Sequence, residues 1–521
     1  MRRVPRCVFR FTQRATRNMD NMLFLGIDAG TTSLKAGLFD ERGNTHALVN
    51  EEYSLVTPVA DQAEIDPEEY WRACVNAVRR ALSKANTPRD EIIGIGVSSQ
   101  GETTIAVDAN GRAVRRALVW LDNRASDQAR QIAERFDLKS VYEITGDPEI
   151  VPTWTACKIL WLKQNEPAIF KRAHKFILVE DFLLHCLTGR FATDGAVACT
   201  SMLWDIRRGT WWDEMLDFIG IHPAQLSTPV LPGEIVGTLR PDAANELGLS
   251  PNLRVVACGM DQAAGAVGAG NLHPGVISET TGAALAIQAT IPAPNLDPTG
   301  RLPVYVHAVR DAFLFVPVCN TGGMVLRWFR DQFAQEEMRA AREQNRDAYD
   351  LLGELAQTIE PGCEGLTMLP HLAGAFSPEY NPEARGVFYG FTLRHTKAHF
   401  VRAIMESIAF MLKRNLDVMQ SLGVNVREVR STGGGAKSPL WLQIKADVLG
   451  VPVMTLEQED TAVLGDAILA SVACGAHKNL DAACVAMVRL RGRIESNIAT
   501  HARYDEAFAR YLAVYERLFG V

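Results

Sequence analysis

Apolar runs of strand length alternate with helical periodicity from Met22 onward. Met22-Leu-Phe-Leu-Gly-Ile-Asp28 ends in an acid and is followed by the polar tip Ala29-Gly-Thr-Thr-Ser33, then by a second apolar run through Leu38 and Phe39 to the turn residues Glu41-Arg-Gly-Asn44. This pattern predicts a β-hairpin with a Gly/Thr/Ser tip. Asp66 as N-cap, Pro67 at the first helical position and Glu68 and Glu69 in the first turn predict a helix, with Trp71, Cys74, Val75, Val78 and Leu82 on its buried face. Ile92 to Val97 reads as a strand buried on both faces that delivers Ser98-Ser-Gln-Gly-Glu102 at its C-terminal end. Thr104 to Val107 and Ala117 to Trp120 bracket Asp108-Ala-Asn-Gly111 and predict another hairpin. Strands and helices interleave, so the class is α/β.

The second half repeats this grammar. Gly275-Val-Ile-Ser-Glu-Thr-Thr-Gly282 is an apolar strand running into a Gly/Thr turn, and Asp311 to Val318 predicts a following strand. Val401, Ile404, Met405, Ile408, Leu412, Leu416 and Met419 fall at helical spacing in one long helix ending near Gly423. Arg427 to Arg430 then leads into Ser431-Thr-Gly-Gly-Gly-Ala436, a strand opening onto a glycine loop before another helix. Two halves with similar openings predict a duplicated domain. The boundary lies near residue 272, giving domains 22–272 and 273–521, with 1–21 outside the fold.

Tight Gly/Thr/Ser turns converge backbone N–H groups and hydroxyls on anions. Gly30 to Ser33 and Thr280 to Gly282 are two such turns; each alone reads first as an ordinary hairpin, but paired in corresponding positions and joined by Gly433-Gly-Gly435 they favour a nucleotide held between domains. No G-x-x-x-x-G-K-[ST] is present, so this is not a P-loop protein. Asp28, at a strand end beside the first turn, is placed to hold Mg2+ through water. Asp261 follows the strand Arg254 to Cys258 and opens a helix of small residues; locally it is an N-cap, and beside the domain junction it is the best candidate base for phosphoryl transfer to an alcohol. Gln100 and Glu102 can bind vicinal hydroxyls, and Trp120, Asp122 and Arg124 end a neighbouring strand facing the same cleft.

The chain has 521 residues, 47% of them hydrophobic, which exceeds one core and suits two large domains. A net charge of -7 with scattered Lys and Arg argues against nucleic acid as a partner. The 10 cysteines form no C-x-x-C pair and read as reduced thiols of a cytoplasmic protein. No apolar run approaches the roughly 18 residues that cross a bilayer, so no membrane association is expected. Met1 to Asn18 carries arginines and no acid, like an organelle-targeting segment, or else Met19 or Met22 is the true start.

Leu25-Gly-Ile-Asp-Ala-Gly-Thr-Thr-Ser33 and Cys258-Gly-Met-Asp-Gln-Ala-Ala-Gly-Ala-Val-Gly268 resemble, in order, the first phosphate motif and the catalytic-Asp segment of the FGGY carbohydrate kinases. Ser377 to Gly390 with Arg402 to Phe410 is similar to the family's C-terminal signature, and Thr432 to Ser438 with Ala446-Asp447 to its adenosine loop. The resemblance spans about Met22 to residue 480. It implies two actin-like, ribonuclease H-like domains closing on ATP and Mg2+ and on a ketose or polyol. Carried over by position, Thr31, Thr32, Ser33, Lys35 and Thr281 contact phosphates, and Gly323, Gly434 and Gly435 border the nucleotide. Glu102, Asp261 and Gln262 contact the sugar, Asp261 taking the proton of the attacking hydroxyl.

Ser99 to Thr103 resembles the glycerol-kinase segment, but Gly101 stands where that subfamily has an Arg, and its substrate Tyr is missing near Pro152-Thr-Trp154. The expectation is weaker glycerol binding, a larger pocket and a ketopentose acceptor such as xylulose. Xylulokinase-like members are nearest, although their Met-His-Gly is here Gln100-Gly-Glu102. Glycerol or a tetritol is the alternative acceptor, and an actin-like nucleotide-dependent switch is the alternative outside catalysis. The expected partner is a small sugar or polyol, with a homodimer left open.

Overall fold

The computed structural model describes residues 22 to 520; the arginine-rich start lies outside the described residues. The predicted opening hairpin is Leu23–Ala29 paired with Ser33–Asp40, in register from Leu23 opposite Asp40 to Ala29 opposite Leu34. Ile92–Ser99 runs parallel beside its first strand and sets Ser98 next to Asp28. The continuous apolar character of both strands is matched by nearly continuous burial. Arg254–Met260 adds a further parallel strand, with Ile235–Thr238 and Thr45–Glu52 as the two edges of a six-stranded sheet.

The second sheet has eight strands and repeats this order. Val276–Thr281 forms a hairpin with Leu285–Ile291, Glu428–Thr432 and Val453–Leu456 follow in parallel, and Leu490–Ile494 closes one edge antiparallel. Each sheet thus places a hairpin tip and two parallel strand ends at the same end of the layer, and the chain forms two sheet-containing domains of mixed α/β structure. The predicted Asp311 to Val318 strand is split into Phe313–Phe315 and Val318–Cys319, since Pro317 offers no ladder donor.

The two halves meet at the Thr461–Ala473 helix, which belongs to the second half but packs against Leu23–Ala29, Ile92–Ser99 and the Asp261–Gly268 helix of the first. Glycines make this approach possible. A Cβ on Gly26 would lie 2.0 Å from Val463 O, one on Gly96 2.2 Å from Asp466 O, and one on Gly268 1.8 Å from Thr461 O. Any side chain there would separate the halves, because backbone rather than a flexible side chain stands in the way.

Three local expectations need correction. The Pro67–Ala85 helix is capped by Asp66 as expected, but its buried face is Tyr70, Ala73, Cys74, Ala77, Val78 and Ala81. Its small side chains let the helix lie close on the sheet, and the bulkier Trp71, Val75 and Leu82 cover the margin. Ile105–Val107 pairs mainly with Lys175–Ile177; only bridges at Thr104–Leu118 and Val107–Ala113 remain of the predicted hairpin, although the Asp108 to Gly111 turn is formed. Asp261 is the first residue of its helix, with Met260 in the N-cap position. All cysteines among the described residues are free thiols, and no helix among those residues is long and apolar enough to cross a membrane.

Candidate active site

Between the halves lies a cavity of about 1190 Å³. Its wall takes Asp28, Lys35, Asp261 and Gln262 from the first half and Thr281, Gly323, Gly434 and Gly435 from the second. Thr31, Thr32, Ser33, Gln100, Gly101, Glu102 and Trp154 lie outside that wall.

Asp261 owes its position to a broken strand register. Arg254–Met260 runs parallel to Ile92–Ser99 until the pairing slips between Ala257 and Met260, where Gly259 takes φ +83°. The N–H groups of Cys258 and Gly259 donate to Glu180 Oε1 at 2.9 and 2.8 Å. A Cβ on Gly259 would meet Ala196 Cβ at 2.6 Å, so only glycine fits. Glu180 is buried beside Asp194, which caps the Gly195–Ala198 turn of helix through the N–H groups of Ala196 and Val197. Burial first, then the facing Asp194 charge, holds the Glu180 carboxyl well above its usual range. Sequence reading missed Glu180; the available signal was an acidic pair, Glu180 and Asp181, inside an otherwise apolar helix.

Burial and neighbouring acids raise the carboxyl groups in the cleft. Burial and the charge of Asp28 push Asp261 up to about 7, against a hydrogen bond from its neighbour's N–H, Gln262 N to Asp261 Oδ1 at 2.7 Å. Burial raises Asp28 to about 6, partly offset by Lys35. Ser98 Oγ lies 3.4 Å from Asp28 Oδ1 and 3.0 Å from Oδ2 of the buried Asp466, sharing its one proton between them. Lys35 reaches across the cleft to an ion pair with Asp460. Burial disfavours the Lys35 ammonium, but Asp460, Asp28 and Asp261 outweigh it and its pKa is raised.

The other residues of the expected sugar end lie outside that wall and are mostly buried. Gln100 is buried and its amide donates to Tyr70 OH at 3.0 Å. A Cβ on Gly101 would lie 2.5 Å from Thr200 Oγ1, so Thr200 fills the space that the missing Arg was expected to vacate. Glu102 sits at φ +64°; its N–H donates to Thr200 Oγ1, and its carbonyl accepts from Thr155 Oγ1 and Lys158 Nζ, each at 3.1 Å. Burial raises Glu102 to about 7 despite Lys158, and lowers buried Lys158 to about 8 despite Glu102. Asp147, fully buried, is held well above the usual carboxylate range by burial and by the charge of Glu102. Trp154 is buried, with its indole N–H donating to Glu149 O at 2.8 Å. Trp120 was expected to line the same cleft; its indole N–H donates instead to Thr31 Oγ1 at 2.8 Å.

On the opposite wall, Gly433 takes φ +75° and the glycine loop rests on the Thr280–Gly282 turn. A Cβ on Gly435 would lie 2.7 Å from Thr281 Cβ, and one on Gly323 2.6 Å from Gly282 O. The Thr281 hydroxyl donates to Glu279 Oε2 at 2.8 Å and accepts from Lys445 Nζ at 2.9 Å. It therefore lines the cavity with its hydroxyl already engaged.

Two family models match the chain in succession. Residues 23–268 match the N-terminal domain, and residues 277–474 the C-terminal domain, of the FGGY family of carbohydrate kinases. A gluconokinase of Bacillus subtilis (strain 168) is 33% identical over 459 residues, covering 88% of this chain and 89% of the relative. A xylulose kinase of Staphylococcus epidermidis is 30% identical over 494 residues, covering 95% and 96%. The solved structure of a ligand-bound xylulose kinase from Lactobacillus acidophilus superposes with a TM-score of 0.86 at 26% identity, over 95% of this chain and 98% of its own.

Proposed function

The chain belongs to the FGGY family of carbohydrate kinases and is an enzyme that phosphorylates a sugar; from that premise we propose that it transfers the γ-phosphoryl group of ATP to a hydroxyl of an uncharged ketose, a ketopentose such as xylulose. Residues 22–272 serve as the sugar- and phosphate-binding domain and 273–521 as the nucleotide domain. The observation that carries the reading is Asp261 on the wall of a cavity shared by both halves, its pKa near 7. A carboxylate so tuned accepts the proton of the attacking hydroxyl more readily than an ordinary one. Lys35 holds phosphate oxygens on one side, joined on closure of the halves by the Gly30–Ser33 tip that lies outside the cavity wall, and the Thr281 turn with Gly323, Gly434 and Gly435 borders the nucleotide on the other.

Mg2+ is commonly bound through one or two carboxylates, water and substrate phosphates. No group of three His, Cys, Asp or Glu among the described residues forms a protein cage for a metal, and Asp28 on the cavity wall fits as the single carboxylate such an ion needs. When bound, the ion supplies neutralisation of the phosphoryl charge. Closure of the halves excludes water that competes with the sugar hydroxyl.

The charges around Glu102 support an uncharged acceptor. Asp261, Glu102 and Asp147 interact electrostatically with one another in series, while Lys158 is already committed to the Glu102 carbonyl and Lys35 to Asp460. An aldonate would bring a further carboxylate into this set, whereas sugar hydroxyls donate to it. A kinase assay across C3 to C6 ketoses, polyols and gluconate tests this: a neutral ketopentose is expected to give the highest kcat/KM, and gluconate as the best acceptor would overturn the reading. One observation favours a smaller acceptor, glycerol or a tetritol: Thr200 fills the space beside Gly101. Higher kcat/KM for the C3 and C4 polyols in the same panel would establish that second reading.

A further inference from the structure

Lys445, on the Pro439–Leu449 helix, and Glu279, on the Val276–Thr281 strand, form an ion pair at 2.6 Å in which neither side chain is exposed at all. Lys445 Nζ also donates to Thr281 Oγ1 at 2.9 Å and Ser431 Oγ at 3.2 Å, so its three protons have three acceptors. The Glu279 Oε1 atom accepts from Lys445 and Ser431, and Oε2 from Thr281. Every donor of the network has its acceptor within it, and both carboxylate oxygens are engaged. It joins three elements, since Ser431 lies next to last in the Glu428–Thr432 strand that opens onto the glycine loop.

Burying two charges is expensive, and an apolar pair of similar volume would serve packing as well or better. What the charged network adds is direction: it leaves the Thr281 side chain one orientation. Gly435 lies on that side chain, and a Cβ there would also come within 3.4 Å of Lys445 Nζ. We propose that Lys445 and Glu279 are positioning residues for nucleotide binding, setting through Thr281 the seat on which the glycine loop rests. This depends on the reading of that wall as the nucleotide side.

The test compares Lys445→Met/Glu279→Leu and Ser431→Ala with the unaltered enzyme, reading melting temperature, ADP affinity by calorimetry, and KM for ATP and for the sugar separately. Removing both charges together avoids leaving one unpaired, so the double variant is expected to fold. Its ADP affinity should fall about tenfold and its KM for ATP rise in proportion, with the sugar KM within about twofold. Ser431→Ala, which keeps the pair, should show the same split at about threefold. That second variant decides the matter if the double variant does not fold. Unchanged ADP affinity in a folded double variant, or in Ser431→Ala when the double variant fails to fold, means the network only packs the core and overturns the inference. No ADP binding by the unaltered enzyme would instead overturn the nucleotide reading itself.

Discussion

The cleft is flanked by two lysine–carboxylate pairs of opposite character. Lys35–Asp460 joins the two halves across the cavity with its side chains 37% and 26% exposed, whereas Lys445–Glu279 lies within the second half at 0% and 0%. The first pair faces Asp28 and Asp261, whose charges help hold Lys35 protonated. Water screens it and other anions compete for its lysine. The second pair is sealed from solvent, with all of its donors engaged. An ion pair on a cavity wall keeps a charge available for exchange with a ligand, while one sealed under the wall fixes the shape that the ligand meets.

The largest effect belongs to the residue that the open pair faces. Asp261→Asn is expected to lose about 10²- to 10⁴-fold in kcat while keeping ADP affinity, as removal of a positioned base should; near-normal turnover would dissociate Lys35 from any catalytic group. The same variant should be more stable at pH 8. Asp261 has a folded-state pKa raised from 3.8 to about 7, so its ionisation disfavours the folded state, fully above about pH 7 and not at all below about pH 4. The gain in Tm should therefore disappear in acid.

Breaking each pair on the lysine side measures their difference directly. Lys445→Met should cost about 3 to 5 kcal/mol of unfolding free energy, because it leaves Glu279 buried and unpaired. Lys35→Met should cost about 1 kcal/mol or less. Equal losses by denaturant titration would erase the distinction.

A smaller effect is expected in the pH profile. With ionised Asp261 as the proposed base, kcat/KM should fall about tenfold per pH unit below roughly pH 7. In Lys35→Met the midpoint should move upward, since the cation that lowers the Asp261 pKa is gone. An unmoved midpoint would place Lys35 outside the electrostatics of the base. The smallest change expected is a severalfold rise in the Mg2+ concentration needed for half-maximal rate in Asp28→Ala. An unchanged requirement would leave Asp28 a hydrogen-bond partner of Ser98 only.

The sequence made the fold class, both hairpin tips, the glycine loop and Asp28 and Asp261 legible, because each is a local pattern a few residues long. It misplaced what depends on a neighbour. The buried face of the first helix turned on small side chains approaching a sheet, and Gly101 looked like a vacancy until Thr200 was seen beside it. Lys445 and Glu279 were silent and the Glu180–Asp181 pair carried only an unassigned signal, since an acid or a lysine in an apolar segment has no meaning until its partner is known. Those partners lie 78 residues away for Glu180 and Cys258, and 166 for Lys445 and Glu279.

The order of apolar runs, caps and glycines is enough to determine two α/β halves with a Gly/Thr hairpin turn at the head of each, because backbone sterics and hydrophobic periodicity act over a few residues. Only the tertiary structure decided which carboxylates share a cleft, which lysine stays open to a ligand and which is sealed. Charge interactions and desolvation depend on distance through space and on exclusion of water, and neither quantity is written in the chain's order.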